Sequence, residues 1–216
     1  MLFLHFKYPM DIIRKYFSIL TNKQLEQLEA LLPFYTDWNS KINLVSRKDM
    51  DQFYEHHVLH SLAIAKYVQF IAGTKIVDVG TGGGFPGIPL AIVFPESSFL
   101  MVDSIGKKIM VVNNAIEDLG LKNATARKQR AEEIKEQFDY VVSRAVTNLP
   151  EFVLWTEDLF HGRSKNKKPN GILYLKGGDL RSELDDLSGR WVKTIHPIRQ
   201  WFNEDYFDTK SLIHLF

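Results

Sequence analysis

No cysteine occurs among the 216 residues. Disulfides, thiolate nucleophiles, iron–sulfur clusters and cysteine-ligated zinc are therefore excluded together. An excess of charge is missing as well: 27 Lys+Arg stand against 26 Asp+Glu, a formal net charge of +1. That balance excludes a globally basic, non-specific nucleic-acid coat and leaves a local basic face open. Long apolar runs are also absent. The opening MLFLHF is short and is followed at once by Lys7, Pro9 and Asp11, a layout of neither a signal peptide nor a membrane span. A cytoplasmic protein without a membrane anchor is expected. No internal repeat is visible, and the one low-complexity stretch is GRSKNKKPNG, residues 162–171. What remains is the composition of an ordinary soluble globule, 45% hydrophobic and 25% charged. Its length suits one α/β domain with a small appendage.

Two regions differ in periodicity. Residues 1–70 read as a helical cap. Thr21 and Gln24 form a capping-box pattern, and Leu25, Leu28, Leu32 and Tyr35 recur on one helix face. Pro33 is expected to kink or end that helix. After the polar connection DWNSKINLVSRKD, a second helical stretch carries Tyr54, Val58, Leu62 and Ala65 on one face. Residues 71–216 alternate strands with helices. Strand-like runs are KIVDV (75–79), SFLMVD (98–103), ATARK (124–128), FDYVVSR (138–144) and GILYLK (171–176). Ile109, Val112, Ile116 and Leu119 mark the clearest intervening helix. Apolar strands joined by helices imply a buried, mainly parallel sheet covered on both faces. A polar helix around 179–188 then precedes WVKTIHPI and KSLIHLF, a closing antiparallel pair that would bring the sheet to seven strands.

The densest signal is KIVDVGTGGGFPGIPLAIVFP, residues 75–95, with five glycines in eight residues directly after a strand. In the first strand-to-helix turn of an open parallel sheet, such a loop lets a nucleotide approach the backbone. Pro86 is well placed for the helix start. Asp78, inside the strand, either steadies the loop or accepts a hydrogen bond from the amino group of an amino-acid-like ligand. Asp103 closes the second strand 23 residues after Gly80, the spacing of a carboxylate that accepts ribose hydroxyls; the alternative is a helix cap. Counted from the strand, the register is Gly80-x-Gly82-x-Gly84, and Phe85 stands where a dinucleotide fingerprint has glycine. This D-V-G-x-G-x-G form resembles the glycine-rich signature of S-adenosylmethionine-dependent methyltransferases, which points to a Rossmann-like class I methyltransferase fold and S-adenosyl-L-methionine as cofactor.

The kind of transfer is narrowed by further absences. After the fourth strand stand Ser143-Arg144-Ala145-Val146, not the Asp/Asn-Pro-Pro-Tyr/Phe that holds an exocyclic amine. Carbon-5 pyrimidine chemistry needs a thiolate. Guanine nitrogen-7 needs neither, because its lone pair is free at neutral pH and alignment suffices. Arg144, at the carboxyl ends of the strands, cannot act as a base. It is the candidate for holding a phosphate or guanine oxygen-6; the alternative is a structural ion pair.

The sequence resembles the glucose-inhibited division protein B family, also called ribosomal RNA small-subunit methyltransferase G. The matching segments are Trp38 to Leu44 (WNSKINL), His57 before Ser61, VDVGTGGGFPGIPLAI, VDSIGKK (102–108), RAEE (130–133) and SRAV (143–146). The resemblance implies methylation of guanine nitrogen-7 in a loop of small-subunit (16S) ribosomal RNA. It also implies that Gly80 and Phe85 line the cofactor pocket, that Ala131 and Glu132 flank the adenine, and that Arg144 contacts cofactor or target. His60 stands where the family often has Asp. The adjacent histidines 56, 57 and 60 suggest packing and capping, and no metal is expected.

Guanine's Hoogsteen edge is inaccessible inside an A-form helix, so the target must be a loop, a bulge or an extruded base. Candidate RNA contacts are, first, Arg127, Lys128 and Arg130 beside the predicted active edge, with Lys107 and Lys108, and Arg163, Lys165, Lys167 and Lys168 in the low-complexity loop, as further candidates. Lys41, Arg47 and Lys48 are placed to close the cleft from the cap. A monomer acting on ribosomal RNA or an assembling small subunit is expected. Two other readings stay open: a methyltransferase for a small molecule or protein, and a non-catalytic RNA-binding protein on the same fold.

Overall fold

The computed structural model describes residues 10–42, 44, 46–187 and 189–216, with the backbone alone at Arg47 and Lys48. The apolar opening MLFLHF with Lys7 and Pro9, Asn43 of the WNSKINL motif, and the side chains of Arg47 and Lys48 lie outside the described residues.

The N-terminal region is helical: α1 (Asp11–Tyr16), α2 (Asn22–Lys41), α3 (Arg47–Met50), a wide π-type turn at Tyr54–Leu59, and α4 (His60–Tyr67). The expected capping box is present. Gln24 N–H donates to Thr21 Oγ1 at 3.3 Å, and Thr21 N–H donates to Gln24 Oε1 at 2.9 Å. Pro33, however, neither ends nor interrupts α2, which runs through to Lys41. A proline in a helix interior orphans the carbonyl four residues earlier, here that of Glu29. The Tyr54 hydroxyl supplies the missing donor, lying 2.9 Å from Glu29 O and 3.2 Å from Leu28 O. A long-range contact thus repairs a local defect.

The remainder alternates as β1 (Lys75–Val79), α5 (Gly87–Val93), β2 (Ser98–Asp103), α6 (Gly106–Asp118), β3 (Ala124–Lys128), β4 (Tyr140–Arg144), α7 (Leu149–Thr156), β5 (Gly171–Gly177), α8 (Arg181–Asp185), β6 (Lys193–Pro197) and β7 (Lys210–Leu215). The seven strands form one sheet in the order β3-β2-β1-β4-β5-β7-β6. Neighbours are parallel except for β7, which runs antiparallel to both β5 and β6. The expected closing pair is therefore real, and β7 inserts next to β5. Strand β1 is buried after its first residue, as a central strand covered on both faces must be.

Each face has its own core. On one, α2, α4 and α5 pack Leu28, Leu31, Leu62 and Ile88 against Met101, Tyr140 and Leu173 of the sheet. On the other, Phe152 and Val153 of α7 meet Val77, Val141 and Tyr174. The N-terminal helices therefore share a core with the sheet. Gln24 reinforces the join by donating from Nε2 to the carbonyls of Ile92 and Val93, both at 3.0 Å, at the end of α5. No helix among the described residues is long and apolar enough to cross a membrane.

Substituting Tyr54→Phe leaves the Glu29 carbonyl unpaired and is expected to cost about 1–3 kcal/mol in urea denaturation. Adding Pro33→Ala restores a backbone donor, so it should recover more stability in the Tyr54→Phe background than in the parent. Strict additivity of the two changes would contradict the repair.

Candidate active site

Strand order reverses at β1, which lies between β2 and β4. Crevices form beyond the carboxyl ends of strands at such points. Here a cavity of about 450 Å³ opens there, lined at one end by Gly80, Gly82, Phe85, His57, Arg144 and Val146, and at the other by Asp103, Ile105, Ala131, Glu132 and Trp155. This is the volume range of small-ligand pockets.

The glycine loop forms the floor. Its first residue, Gly80, has φ +69°, and a Cβ there would lie 2.4 Å from a Val146 methyl. Conformation and space both require glycine at this position. Gly82 donates its N–H to Asp103 Oδ2 at 3.0 Å. Gly84 does not reach the cavity and lies beneath Ile88 and the Tyr35 hydroxyl. That hydroxyl donates to Gly83 O at 2.5 Å, tying the loop to α2. The Phe85–Pro86 peptide is cis and leads into α5.

Of the two roles open to Asp78, the structure favours the loop. The side chain is fully buried and lies behind the cavity wall. Its Oδ2 accepts from Thr81 Oγ1 at 2.6 Å and from Gly87 N–H at 2.8 Å, so one oxygen pins both ends of the turn. Its Oδ1 is buried without a partner among the described residues. Burial pushes the carboxyl up to about 7, against the pull of those two hydrogen bonds and of Arg144.

Asp103 lines the cavity and, instead of capping α6, closes a short turn ahead of it. Oδ1 accepts from Ile105 N–H at 2.8 Å, while Oδ2 accepts from Gly82. Each oxygen has further acceptor capacity, and Lys108 Nζ, also in the cavity wall, lies 3.9 Å from Oδ2. Ala131 is buried in the wall, and Glu132 stands exposed at the rim.

Arg144 is no ordinary ion-paired arginine. Its guanidinium donates to His56 O at 3.1 Å and to His57 Nδ1 at 2.9 Å, and it lies 5.4 Å above the Phe85 ring. Burial draws its pKa below the usual guanidinium range, opposed by Tyr206, Asp78 and Asp49. It forms no salt bridge among the described residues, which leaves a half-buried cation facing the cavity. The next residue, Ala145, has φ +48°, a strained conformation for a non-glycine residue. The strain is held by Tyr174, whose hydroxyl accepts from Val146 N–H at 3.0 Å and Thr147 N–H at 3.2 Å.

Two of the three histidines share Tyr206: His56 stacks on its ring with centroids 3.9 Å apart, and buried His60 has Nδ1 3.2 Å from its hydroxyl, while His57 meets Arg144. Burial, then the charge of Arg144, holds His60 well below its ordinary pKa. At this position the chain therefore uses a neutral ring for packing.

The basic candidates divide. Arg130 lines the cavity, Lys128 ends β3 beside it, and Arg127 is paired with Glu136 at 2.7 Å. The loop with Lys165, Lys167 and Lys168 lies at the amino ends of the strands. Lys165 donates to Gly73 O at 3.2 Å, and Asn166 Oδ1 accepts from Ile71 N–H at 3.0 Å. A strand's length, roughly 15 Å, separates these three lysines from the cavity. Nor is the loop a free tip, because Asn170 Nδ2 donates to the carbonyls of His161 and Arg163, both at 2.9 Å.

A family model described as rRNA small subunit methyltransferase G matches residues 24–197. The chain belongs to this family, GidB. It is 52% identical to the ribosomal RNA small subunit methyltransferase G of Flavobacterium johnsoniae, over 95% of this chain and 97% of that protein. Its counterpart in Bacteroides thetaiotaomicron is 51% identical, over 95% and 98%. Among solved structures, a SAM-dependent methyltransferase from Aquifex aeolicus matches with a TM-score of 0.55 at 14% identity, covering 79% of this chain and 98% of that one. A precorrin-6y C5,15-methyltransferase from Geobacter metallireducens matches at 0.52 and 9%, covering 81% and 91%. Both likenesses establish the class I methyltransferase fold. Of the GidB-like segments, VDVGTGGGFPGIPLAI, VDSIGKK, RAEE and SRAV all contribute to the cavity wall, as does His57. Sequence reasoning assigned no role to Leu44, Ile105 or Trp155, which line it too. Trp155 looks like one more apolar residue of an amphipathic helix, and nothing local marks it as a wall.

The Asp78 pKa gives a signed expectation. Raised from 3.8 in the unfolded chain to about 7 in the fold, this group stabilises fully below pH 4, and that stability is lost as pH rises toward 7. Between those limits the folded state holds one more proton, so unfolding free energy falls by roughly 1.4 kcal/mol per pH unit. Asp78→Asn keeps an acceptor for Thr81 and Gly87 and should lack this slope in urea titrations from pH 4 to 8. Parallel curves for the two proteins would contradict the burial argument.

Proposed function

We propose that this protein transfers a methyl group from S-adenosyl-L-methionine to nitrogen-7 of a guanine in a loop of small-subunit (16S) ribosomal RNA. Family membership at half identity over nearly the whole chain supports the RNA-directed reaction. The observation that carries the chemistry is the character of the cavity end between Gly80 and Arg144. Among the described residues there, the one basic nitrogen, His57 Nδ1, is occupied by Arg144, which itself cannot take a proton. A site without a free base suits a nucleophile that needs none.

The residues fit the cofactor. Arg144 has no carboxylate partner among the described residues and matches the anionic end of an amino acid. The glycine floor admits its chain, Asp103 retains lone pairs for ribose hydroxyls, and Ile105, Ala131 and Trp155 offer apolar walls to adenine. Glu132, at the rim, stands beside the adenine edge. Asp78 and Gly84 act from behind, by shaping the loop. When bound, the cofactor supplies an electrophilic sulfonium methyl. The chain's part is then to align the guanine lone pair behind that methyl and to exclude water, a proximity effect. Phe85 and Val146 narrow the approach.

Residues 1–70 act as a cap, placing His57 and Leu44 over the cavity. Arg130 and Lys128 lead the RNA contacts, with Arg127 joining them if its pair with Glu136 opens. Lys165, Lys167 and Lys168 reach only an RNA that extends past the far end of the sheet. The protein acts as a cytoplasmic monomer.

The test is transfer from labelled S-adenosylmethionine to unmodified small-subunit ribosomal RNA and to small subunits, with the product base identified. A single 7-methylguanine is expected. Cofactor binding without transfer to either substrate would overturn the reading in favour of another acceptor. Arg144→Ala should reduce transfer about 100-fold or more while keeping the folded circular-dichroism spectrum, and alanine at Lys165, Lys167 and Lys168 together should leave transfer to an isolated RNA fragment within about two-fold, as their distance from the cavity implies.

A further inference from the structure

Arginine carries donors only, so a guanidinium 2.9 Å from an imidazole nitrogen fixes that nitrogen as the acceptor. Arg144 binds His57 at Nδ1, and the ring proton therefore sits on Nε2. The ring cannot readily turn. It stacks on Phe53 with centroids 5.8 Å apart and an interplanar angle of 29°, and it packs against Phe85 at 5.4 Å. Nε2 is buried and has no hydrogen-bond partner among the described residues. Native structures rarely leave a buried donor unsatisfied without a reason. His57 also lines the cavity. Burial, with the Arg144 charge adding to it, lowers the ring to about 3, so the N–H remains neutral throughout the physiological range.

We infer that the Nε2–H of His57 is a fixed, neutral donor to an oxygen of the bound reactants. The inference rests on the methyl-transfer reading, in which two such oxygens are available: the methionine carboxylate of the cofactor and oxygen-6 of the guanine. A neutral donor suits either. Positive charge passes from sulfur to the purine during transfer, so a cation pressed on oxygen-6 would oppose it, whereas an N–H dipole opposes it less. Nitrogen-7 stays free to attack. Arg144 thereby has two tasks, contacting the reactants and setting the tautomer of its neighbour.

Two substitutions separate the donor from the clasp. His57→Asn keeps an oxygen near the Nδ1 position for Arg144 but has no donor at Nε2. His57→Gln carries an amide N–H to about the Nε2 position. Affinity for S-adenosylhomocysteine by calorimetry, KM for RNA and melting temperature would be measured for both. His57→Asn is expected to melt like the parent and to lose ten-fold or more in one quantity. Loss of S-adenosylhomocysteine affinity assigns the acceptor to the carboxylate, and a raised KM for RNA assigns it to guanine. His57→Gln should recover part of the loss. Values for His57→Asn within two-fold of the parent in both quantities would overturn the inference and reduce His57 to a clasp.

If His57→Asn fails to fold, nitrogen-15 spectra of histidine-labelled parent protein decide. An Nε2-protonated His57 whose signal moves on adding S-adenosylhomocysteine or an RNA fragment supports the donor role; a signal unmoved by both overturns it. A parent that binds no S-adenosylhomocysteine and methylates no RNA would instead remove the methyl-transfer reading, and the inference would fall with it.

Discussion

One buried oxygen organises the site. Asp78 Oδ2 accepts from the Thr81 hydroxyl at one side of the glycine loop and from the Gly87 amide at the other. The loop leaves β1 with a left-handed residue and enters α5 a few residues later, a path with little intrinsic stability. A single acceptor at its centre fixes the path. The cavity floor, the approach of Val146 to Gly80, and the seating of Phe85 all follow from it. The cost is a carboxyl taken out of water, visible in its raised pKa and in the unpartnered second oxygen. A rigid floor is what a reaction governed by alignment requires.

The roof depends on a second set of contacts. Arg144 leaves the sheet at the end of β4 and binds the carbonyl of His56 and the ring of His57, both from the wide turn before α4. Tyr35 binds the loop from α2. The N-terminal helices are thus joined to the sheet through the cavity itself as well as through the shared core. Any movement of the cap would change the geometry around Phe85, His57 and Arg144 together.

Much of this was legible in the sequence. The runs KIVDV and SFLMVD coincide with β1 and β2 because buried strands must be apolar, while ATARK coincides with β3, an edge strand left largely exposed. The glycine register and Asp103 pointed to the sheet edge where the cavity opens, and SRAV to Arg144 in its wall. The misses share a cause, namely contacts made across long sequence distance. Pro33 signals a helix end locally, and only Tyr54, folded back against α2, removes the signal. Nothing in the lysines of residues 162–171 tells which end of the sheet their loop occupies, and only the strand direction places it at the amino ends. The two roles of Asp78 could not be separated until its depth below the loop was known. Trp155 and the orphan nitrogen of His57 carry no local mark at all.

The central claim is that the Gly80–Arg144 cavity holds the methyl donor, and the most direct measurement is an experimental structure of the protein with S-adenosylhomocysteine. The account predicts the amino-acid part over the Gly80–Gly82 turn within reach of Arg144, the ribose at Asp103 and the adenine between Ile105 and Ala131 near Trp155. Density for the ligand elsewhere on the molecule, with this cavity empty at saturating concentration, would contradict it.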